Sequence, residues 1–491
     1  MERSVVEPVH FAEWIARHAL TRPDVPAIVA PQSRLTYAEF DRALNFAVGQ
    51  LAEKGIARGD VVALCVYNAA LHCVLVAALN RLGAASMSVT AGRDAPIALP
   101  ESVAAAKVII EEPFAGIAPD GALKANADWL KESGKPWKDP GFADENDVIR
   151  IFLTSGTTGK MKAVGLSTRQ IEARVFKYSI GALGEGRSRA GLSAIGLRSS
   201  AGFRAVFSTF WSGGTIYIGW PERAIPAIVA RNRIQRIEGS PAQLQQILRE
   251  AGKGQFDFSA VRSVWLTGSS ASKALIAAIR TRISPTLINI YGSTEMGTMA
   301  FGLLDARRAH VAGVLAPWVK GEAVDENDAP LPPGEEGRLR FKSAEMASGY
   351  MGDAQATAQH FRDGWFYPGD TGSVSVRGVV SLRGRSLDQI NAGGVKVHPD
   401  IVEEAVLAIE GVEECAAFGA PDAIGVEQIW TAVVAAKEID LARMHAELKT
   451  KLASRAPYRL FRLEKIPRNE NGKVLRAELR KLAAGQLAPA N

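Results

Sequence analysis

With 491 residues, 47% hydrophobic and 22% charged, the chain is too long for one ordinary core and has the balance of a soluble globular protein of roughly two to four domains or subdomains. A net charge of +6 from scattered lysines and arginines suits small anionic ligands and argues against a nucleic-acid surface, which needs a basic stripe. Cys65, Cys73 and Cys415 lack C-x-x-C spacing, which argues against a disulfide framework or zinc site; no apolar run approaches the ~20 residues of a membrane span, so a cytoplasmic protein is expected.

Residues 8–20 read as a helix, with Phe11, Trp14, Ile15 and Ala19 at helical spacing. "AIVAPQSRLTYAEF" gives a strand, a turn and a short strand, then a helix with Phe40, Leu44, Ala47 and Leu51 on its apolar face and Gly55 as its stop. "GDVVALCV" is a buried strand and "AALHCVLVAALNRLGA" a helix ending at Gly83. This alternation continues through most of the chain and predicts the α/β class, with a large N-terminal region of several subdomains built on layered parallel sheets.

The next strand, "VIRIFL", runs into "TSGTTGKMK", where hydroxyls, glycines and two lysines fall together. Such a loop can cradle a polyphosphate, although a plain solvated loop has the same composition. The spacing is not that of a Walker loop, because Gly156 and Gly159 are three apart and Met161 follows Lys160; nor is it a dinucleotide fingerprint. Three later runs, 263–272, 287–297 and 364–374, each deliver Ser, Thr, Asp or Glu just past an apolar stretch. Ligands gather at such positions in open α/β sheets. After residue 384 the pattern becomes that of a small α+β domain on a polar hinge, dividing the chain into 1–384 and 385–491, and "IPRNENGKVLRAELRKL" presents Lys473 ahead of a helix.

Together, "LTYAEF", "GIARGD", "NRLGA", "TSGTTGKMK", "YGSTE", "YPGD", a downstream "GR" and "NGKVLRAELR" resemble the adenylate-forming (AMP-binding) superfamily of acyl- and aryl-CoA synthetases, adenylation domains and luciferases. The resemblance covers nearly the whole chain in order. It implies an AMP-forming acid–thiol ligase: a carboxylic acid is joined to the α-phosphate of ATP, pyrophosphate leaves, and the thiol of CoA attacks the acyl-adenylate. Such a transition state needs donors and cations more than a proton-transfer base.

The resemblance also implies roles. Thr154, Ser155, Gly156, Thr157, Thr158, Gly159 and Lys160 would cover the β- and γ-phosphates, with Lys162 adding charge. Tyr291 would pack on adenine, Thr294 would donate to the α-phosphate, and Glu295 would hold Mg²⁺. Asp370 and Arg385 would bind the ribose, and Lys473 would bridge the incoming carboxylate and the α-phosphate. The C-terminal domain would swing after adenylation, and Gly393 and Gly394 would let backbone approach the pantetheine. A carrier-protein phosphopantetheine is the alternative acceptor, and a nucleotide-binding protein without turnover a third reading; a homodimer is the default assembly.

Several positions depart from the pattern. Leu387, followed by Asp388, stands where the hinge usually carries Asp or Lys. Met161 and Ala163 replace the common Pro and Gly of the phosphate loop, leaving its donors intact, and "TGSSAS" replaces a Gly-Gly-Ala run at the pocket floor. In "IGLRSSAGFRAVF" Ser199 falls about where the family often has a pocket His. Arg198 or Arg204 beside it suggests a polar or anionic acid, since an unpaired guanidinium in a pocket is costly, although either could face solvent.

Overall fold

The computed structural model describes residues 11–90, 97, 99–100, 102–103, 107–117, 119–135, 144–155, 161–183, 190–385, 390–392, 395–421, 426–435, 438–469, 472 and 474–487. Gly156 to Lys160, Leu387, Asp388, Gly393, Gly394 and Lys473 lie outside them, as does the Arg385 side chain, although Arg385 backbone is described.

The chain begins with α1 (Phe11–Thr21), β1 (Pro26–Ala30), β2 (Ser33–Thr36), α2 (Tyr37–Glu53), β3 (Val61–Cys65), α3 (Ala69–Leu82), β4 (Ala85–Ser88), β5 (Lys107–Glu111) and β6 (Leu123–Ala125). The hairpin of β7 (Val148–Ser155) and β8 (Met161–Ser167) follows. Among the described residues, a six-stranded sheet has the order β6-β5-β3-β4-β7-β8, parallel except for the last pair. Local chemistry sets the boundaries: Thr36 caps α2 in a reciprocal pair with Glu39, and Gly83 ends α3 in the left-handed region.

Helix α4 (Thr168–Leu183) leads to β9 (Ala190–Ser193), α5 (Ser200–Ser212), β10 (Thr215–Ile218), α6 (Ile225–Asn232), β11 (Arg236–Gly239), α7 (Pro241–Ala251), β12 (Ser263–Thr267), α8 (Lys273–Arg282) and β13 (Leu287–Ser293). These strands form the parallel run β13-β12-β11-β9-β10-β1, edged by β2. Beyond it come β14 (Gly297–Leu303), β15 (Val311–Leu315), β16 (Lys320–Val324), β17 (Gly337–Lys342), α9 (Ala354–His360), β18 (Phe361–Arg362), β19 (Trp365–Phe366), β20 (Asp370–Val374) and β21 (Val379–Arg385). They extend the sheet antiparallel. The expected parallel layers therefore hold up to β13 only, because the connections after it lack the helical crossovers that parallel neighbours require. Asp370, which follows the apolar β19 as expected, also opens β20.

Helices α1, α2 and α5 bury an aromatic cluster in which Phe11 meets Phe207 at 4.5 Å and Phe40 meets Phe210 at 5.2 Å between ring centroids. Residues after 390 pack among themselves: β22 (Ile390–Ala392), β23 (Val395–Val397), α10 (Pro399–Leu407), β24 (Val412–Pro421), β25 (Glu427–Ala435), α11 (Leu441–Leu452), β26 (Arg459–Arg462) and α12 (Arg476–Leu487). The β22–β23 hairpin flanks positions 393–394.

This C-terminal region rests on α7 and α8 through polar contacts. Gln245 donates to the Glu413 carbonyl at 2.7 Å, Arg249 pairs with Glu413 at 3.2 Å, and Lys273 pairs with Glu404 at 2.5 Å. Gly472 has φ +74, and a Cβ there would lie 2.5 Å from Oγ of Ser240, the N-cap of α7. The neighbour of Lys473 thus sits at the carboxyl end of β11.

Candidate active site

The polar burst after Phe152 starts on β7 and resumes on β8. Thr154 faces Lys162 and Ser155 faces Met161 in register, so the described ends of the burst are paired at the sheet edge. Across from this hairpin, the Lys162 ammonium stands 4.7 Å above the ring of Tyr350. The Tyr350 hydroxyl in turn donates to Glu295 Oε1 at 2.8 Å.

Glu295 and Thr294 occupy the turn between β13 and β14. The turn is tight: a Cβ at Gly292 would lie 2.3 Å from the Gly297 carbonyl oxygen. Arg174, on α4, holds its outer side by donating to the Thr294 carbonyl at 2.8 Å and the Glu295 carbonyl at 2.9 Å. Burial lowers the Arg174 guanidinium to about 10, and backbone oxygens carry most of its hydrogen bonds. Ser200, in the first turn of α5, meets Thr294 hydroxyl to hydroxyl at 3.3 Å. On the other flank, the Tyr291 hydroxyl donates to Asp370 Oδ2 at 2.5 Å, while its ring packs edge-on against Phe341. Asp370 is buried and pairs with Arg385 across β20 and β21.

The two arginines of the α5 region separate. Arg198 stacks 4.8 Å over Tyr67. Arg204 is buried: its Nη1 donates to Thr298 Oγ1 at 3.3 Å, and its guanidinium covers the Tyr178 ring at 4.4 Å. Ser199 is the N-cap of α5 and accepts from the Gly202 amide at 3.0 Å, so its hydroxyl caps the helix while Ser200 faces Thr294. Tyr178 donates to Glu238 Oε2. Burial pushes the Glu238 carboxyl above its ordinary range, against the pull of Arg204.

Thr154, Lys162, Tyr291, Thr294, Glu295, Asp370 and Arg204 thus come from two sheets and α5 to one region, with Ser155 at its hairpin. Sequence reading did not single out Tyr350, Arg174 or Glu238. The signal for Glu238 is an acid inside the buried strand "RIEG"; Tyr350 and Arg174 carry no local signal, because each acts through contacts more than fifty residues away. Among the described residues no three His, Cys, Asp or Glu side chains cluster to hold a metal. A single carboxylate such as Glu295 is enough for Mg²⁺, which takes one or two together with substrate phosphates.

Residues 15–351 match the model of the AMP-binding enzyme family, and residues 401–473 that of the AMP-binding enzyme C-terminal domain. A fatty acid–[acyl-carrier-protein] ligase, ScoC of Streptomyces coeruleorubidus, is 29% identical over 94% of both chains. A feruloyl-CoA synthase of an Amycolatopsis species is 28% identical over 96% of this chain and 98% of that one; a 4-chlorobenzoate–CoA ligase of an Arthrobacter species is 28% identical over 97% and 96%. The fold is that of the anthranilate CoA ligase AuaEII in complex with anthranoyl-AMP, with a TM-score of 0.85 at 19% identity over 98% of this chain and 99% of that one.

Proposed function

The chain belongs to the family of AMP-binding enzymes, and from that membership we propose how it works as an AMP-forming carboxylate–CoA ligase. ATP, Mg²⁺ and CoA are its co-reactants. The observation that carries the assignment of residues is the chain of contacts from Lys162 through Tyr350 to Glu295. It ties the hairpin that carries the threonine- and glycine-rich string to the "YGSTE" turn, which neither sheet does alone.

In this reading the 154–160 loop and Lys162 hold the β- and γ-phosphates, while Thr294 donates to the α-phosphate and Glu295 is the protein's ligand to Mg²⁺, which would neutralise phosphate charge. Asp370 accepts from the ribose hydroxyls with Arg385 beside it, Tyr291 steadies that carboxylate and packs on adenine, and Lys473 spans the acid and the α-phosphate. A carboxylate oxygen attacks the α-phosphorus, pyrophosphate departs, and the thiolate sulfur of CoA then displaces AMP from the acyl carbon. Charge grows on the α-phosphate oxygens during the first step, where fixed donors lower the barrier most. Residues 385–491 act as the mobile domain, with Gly393 and Gly394 turning to the pantetheine in the second step. The polar contacts on α7 and α8 suit a surface that must part. Cys65, Cys73 and Cys415 are not joined in disulfides, which fits a reducing cytoplasm.

The test is pyrophosphate release with ATP and Mg²⁺ across short, medium-chain, aryl and dicarboxylic acids, with and without CoA, for the wild type and Lys473→Ala. Release that needs one acid and Lys473, with thioester on adding CoA, is the expected result. The likeness to ScoC favours a second acceptor, a carrier-protein phosphopantetheine: release without CoA thioester, but with acyl-carrier product, would assign it. Absence of release with every acid would favour a binding protein without turnover.

A further inference from the structure

Arg204 is nine-tenths buried, yet its Nε and Nη2 have no hydrogen-bond partner among the described residues. Those two atoms form one edge of the guanidinium, the edge that meets a planar anion with two parallel hydrogen bonds. Its nearest carboxylate oxygen, Glu238 Oε1, stands 3.9 Å from Nη2, beyond hydrogen-bond reach, and also has no partner. Buried donors are nearly always satisfied, so an orphaned pair points to a missing ligand.

The charges around this edge are unbalanced. Arg236 is also buried, lies 5.9 Å from the Tyr178 ring, and donates to the neutral Thr209 hydroxyl at 3.2 Å. Both guanidiniums look to one carboxylate, Glu238, which already accepts from Tyr178. The next cation, Arg174, feels Arg204 and has Glu345 and Glu295 as its own carboxylates, and Glu345 is shared with Lys177, so the surplus around Arg204 is positive. The position is right for the acid: Thr298, bonded to Arg204, follows the Thr294–Glu295 turn in β14, and Ser200, one helical turn before Arg204, meets Thr294. A cavity of about 20 Å³ bordered by Ser200, Phe203, Arg204 and Gly297 has room for only a small terminal group.

We propose that Arg204 is a specificity residue that binds a second carboxylate at the far end of the acid, making this enzyme a ligase of dicarboxylic acids. The inference rests on the ligase reading, which supplies the acid to the pocket. The second carboxylate takes the Nε and Nη2 edge, Thr298 keeps Nη1 in place, and the charge on Arg236 offsets that of Glu238.

Its test compares acids matched in skeleton, hexanoate with 6-hydroxyhexanoate and adipate, and benzoate with the three phthalates, by kcat/KM for pyrophosphate release. At least one dicarboxylate is expected to exceed its monoacid by about a hundredfold or more, since a site built for a polar group rejects the analogue lacking it. Arg204→Met should bring that ratio close to one, and Arg204→Lys should keep part of it. Equal use of monoacids and dicarboxylates by the wild type overturns the proposal, as does preference for the hydroxy acid. A uniform fall for every acid in both variants, together with a lowered Tm, also overturns it and leaves Arg204 a structural partner of Glu238. Should no acid give release, the ligase reading fails separately. The Arg204 site is then judged by dicarboxylate-induced thermal stabilisation: a shift in the wild type that Arg204→Met loses sustains it, and no shift in the wild type overturns it.

Discussion

The Tyr291 hydroxyl donates to Asp370 Oδ2 at 2.5 Å, joining two residues 79 positions apart that were assigned separate halves of a nucleoside. The bond holds the carboxylate in one orientation, which would ready it for the ribose proposed to bind there. Tyr291→Phe should therefore raise the KM for ATP by about ten- to a hundredfold, the order expected from losing a hydrogen bond to a charged group, roughly 1.5–3 kcal/mol. The KM for the acid should stay within about twofold. Steady-state kinetics varying each substrate separates the two, and an equal rise in both would show that the bond supports the fold and not the nucleotide.

A second hydroxyl does comparable work at Glu295. Tyr350→Phe keeps the ring beneath the Lys162 ammonium and removes only the donor to Oε1. The Mg²⁺ concentration for half-maximal velocity should rise several-fold, and urea denaturation should show a loss of about 1–3 kcal/mol for a buried acceptor left short of a partner. Unchanged values in both measurements would mean that other groups suffice to hold Glu295.

Gly472 couples the lysine loop to α7. With φ +74 and a Cβ position 2.5 Å from Ser240 Oγ, Gly472→Ala strains the backbone and crowds the cap together. If the docked arrangement serves the first half-reaction, as proposed, acid-dependent pyrophosphate exchange should fall by about tenfold or more. Thioester formation from supplied acyl-adenylate should fall far less. Equal losses in the two half-reactions would count against the docked loop serving adenylation alone.

Glu172 carries the clearest pH signature. Burial, then the nearby charge of Glu145, raises its carboxyl from 4.5 to about 7. Between those values the folded state holds a proton that the unfolded state has lost, so this group's contribution to stability falls as pH rises through the window. Glu172→Gln should leave Tm nearly unchanged at pH 4 and raise it at pH 8. Thermal melts across that range check the sign; a larger gain at pH 4 than at pH 8 would reverse it.

The layered α/β plan, the small C-terminal region and the strand that leads into the loop at 154–162 were legible because each rests on local signals: apolar period, caps and a polar burst after a strand. The antiparallel half of the large sheet was not, since pairing such as Asp370 with Arg385 is decided by connection length and by neighbours distant in sequence. The same holds within the site. Thr294, Glu295 and Asp370 stand in recognisable strings, whereas Tyr350 and Glu238 matter through a single partner each, Glu295 and Tyr178, that no window of sequence contains. Ser199 shows the opposite error of emphasis: its type and place suited a pocket, and it is also an ideal helix cap.

Arg174 grips Thr294 and Glu295 by their carbonyl oxygens, so the turn keeps its shape whatever side chains line the acid's pocket. Arg204, by contrast, meets Thr298, Tyr178 and Glu238 through side chains alone. If Arg204 selects the acid as proposed, activation chemistry and choice of acid rest on different kinds of contact, and replacements at positions such as 204 and 238 would change the second while leaving the first intact.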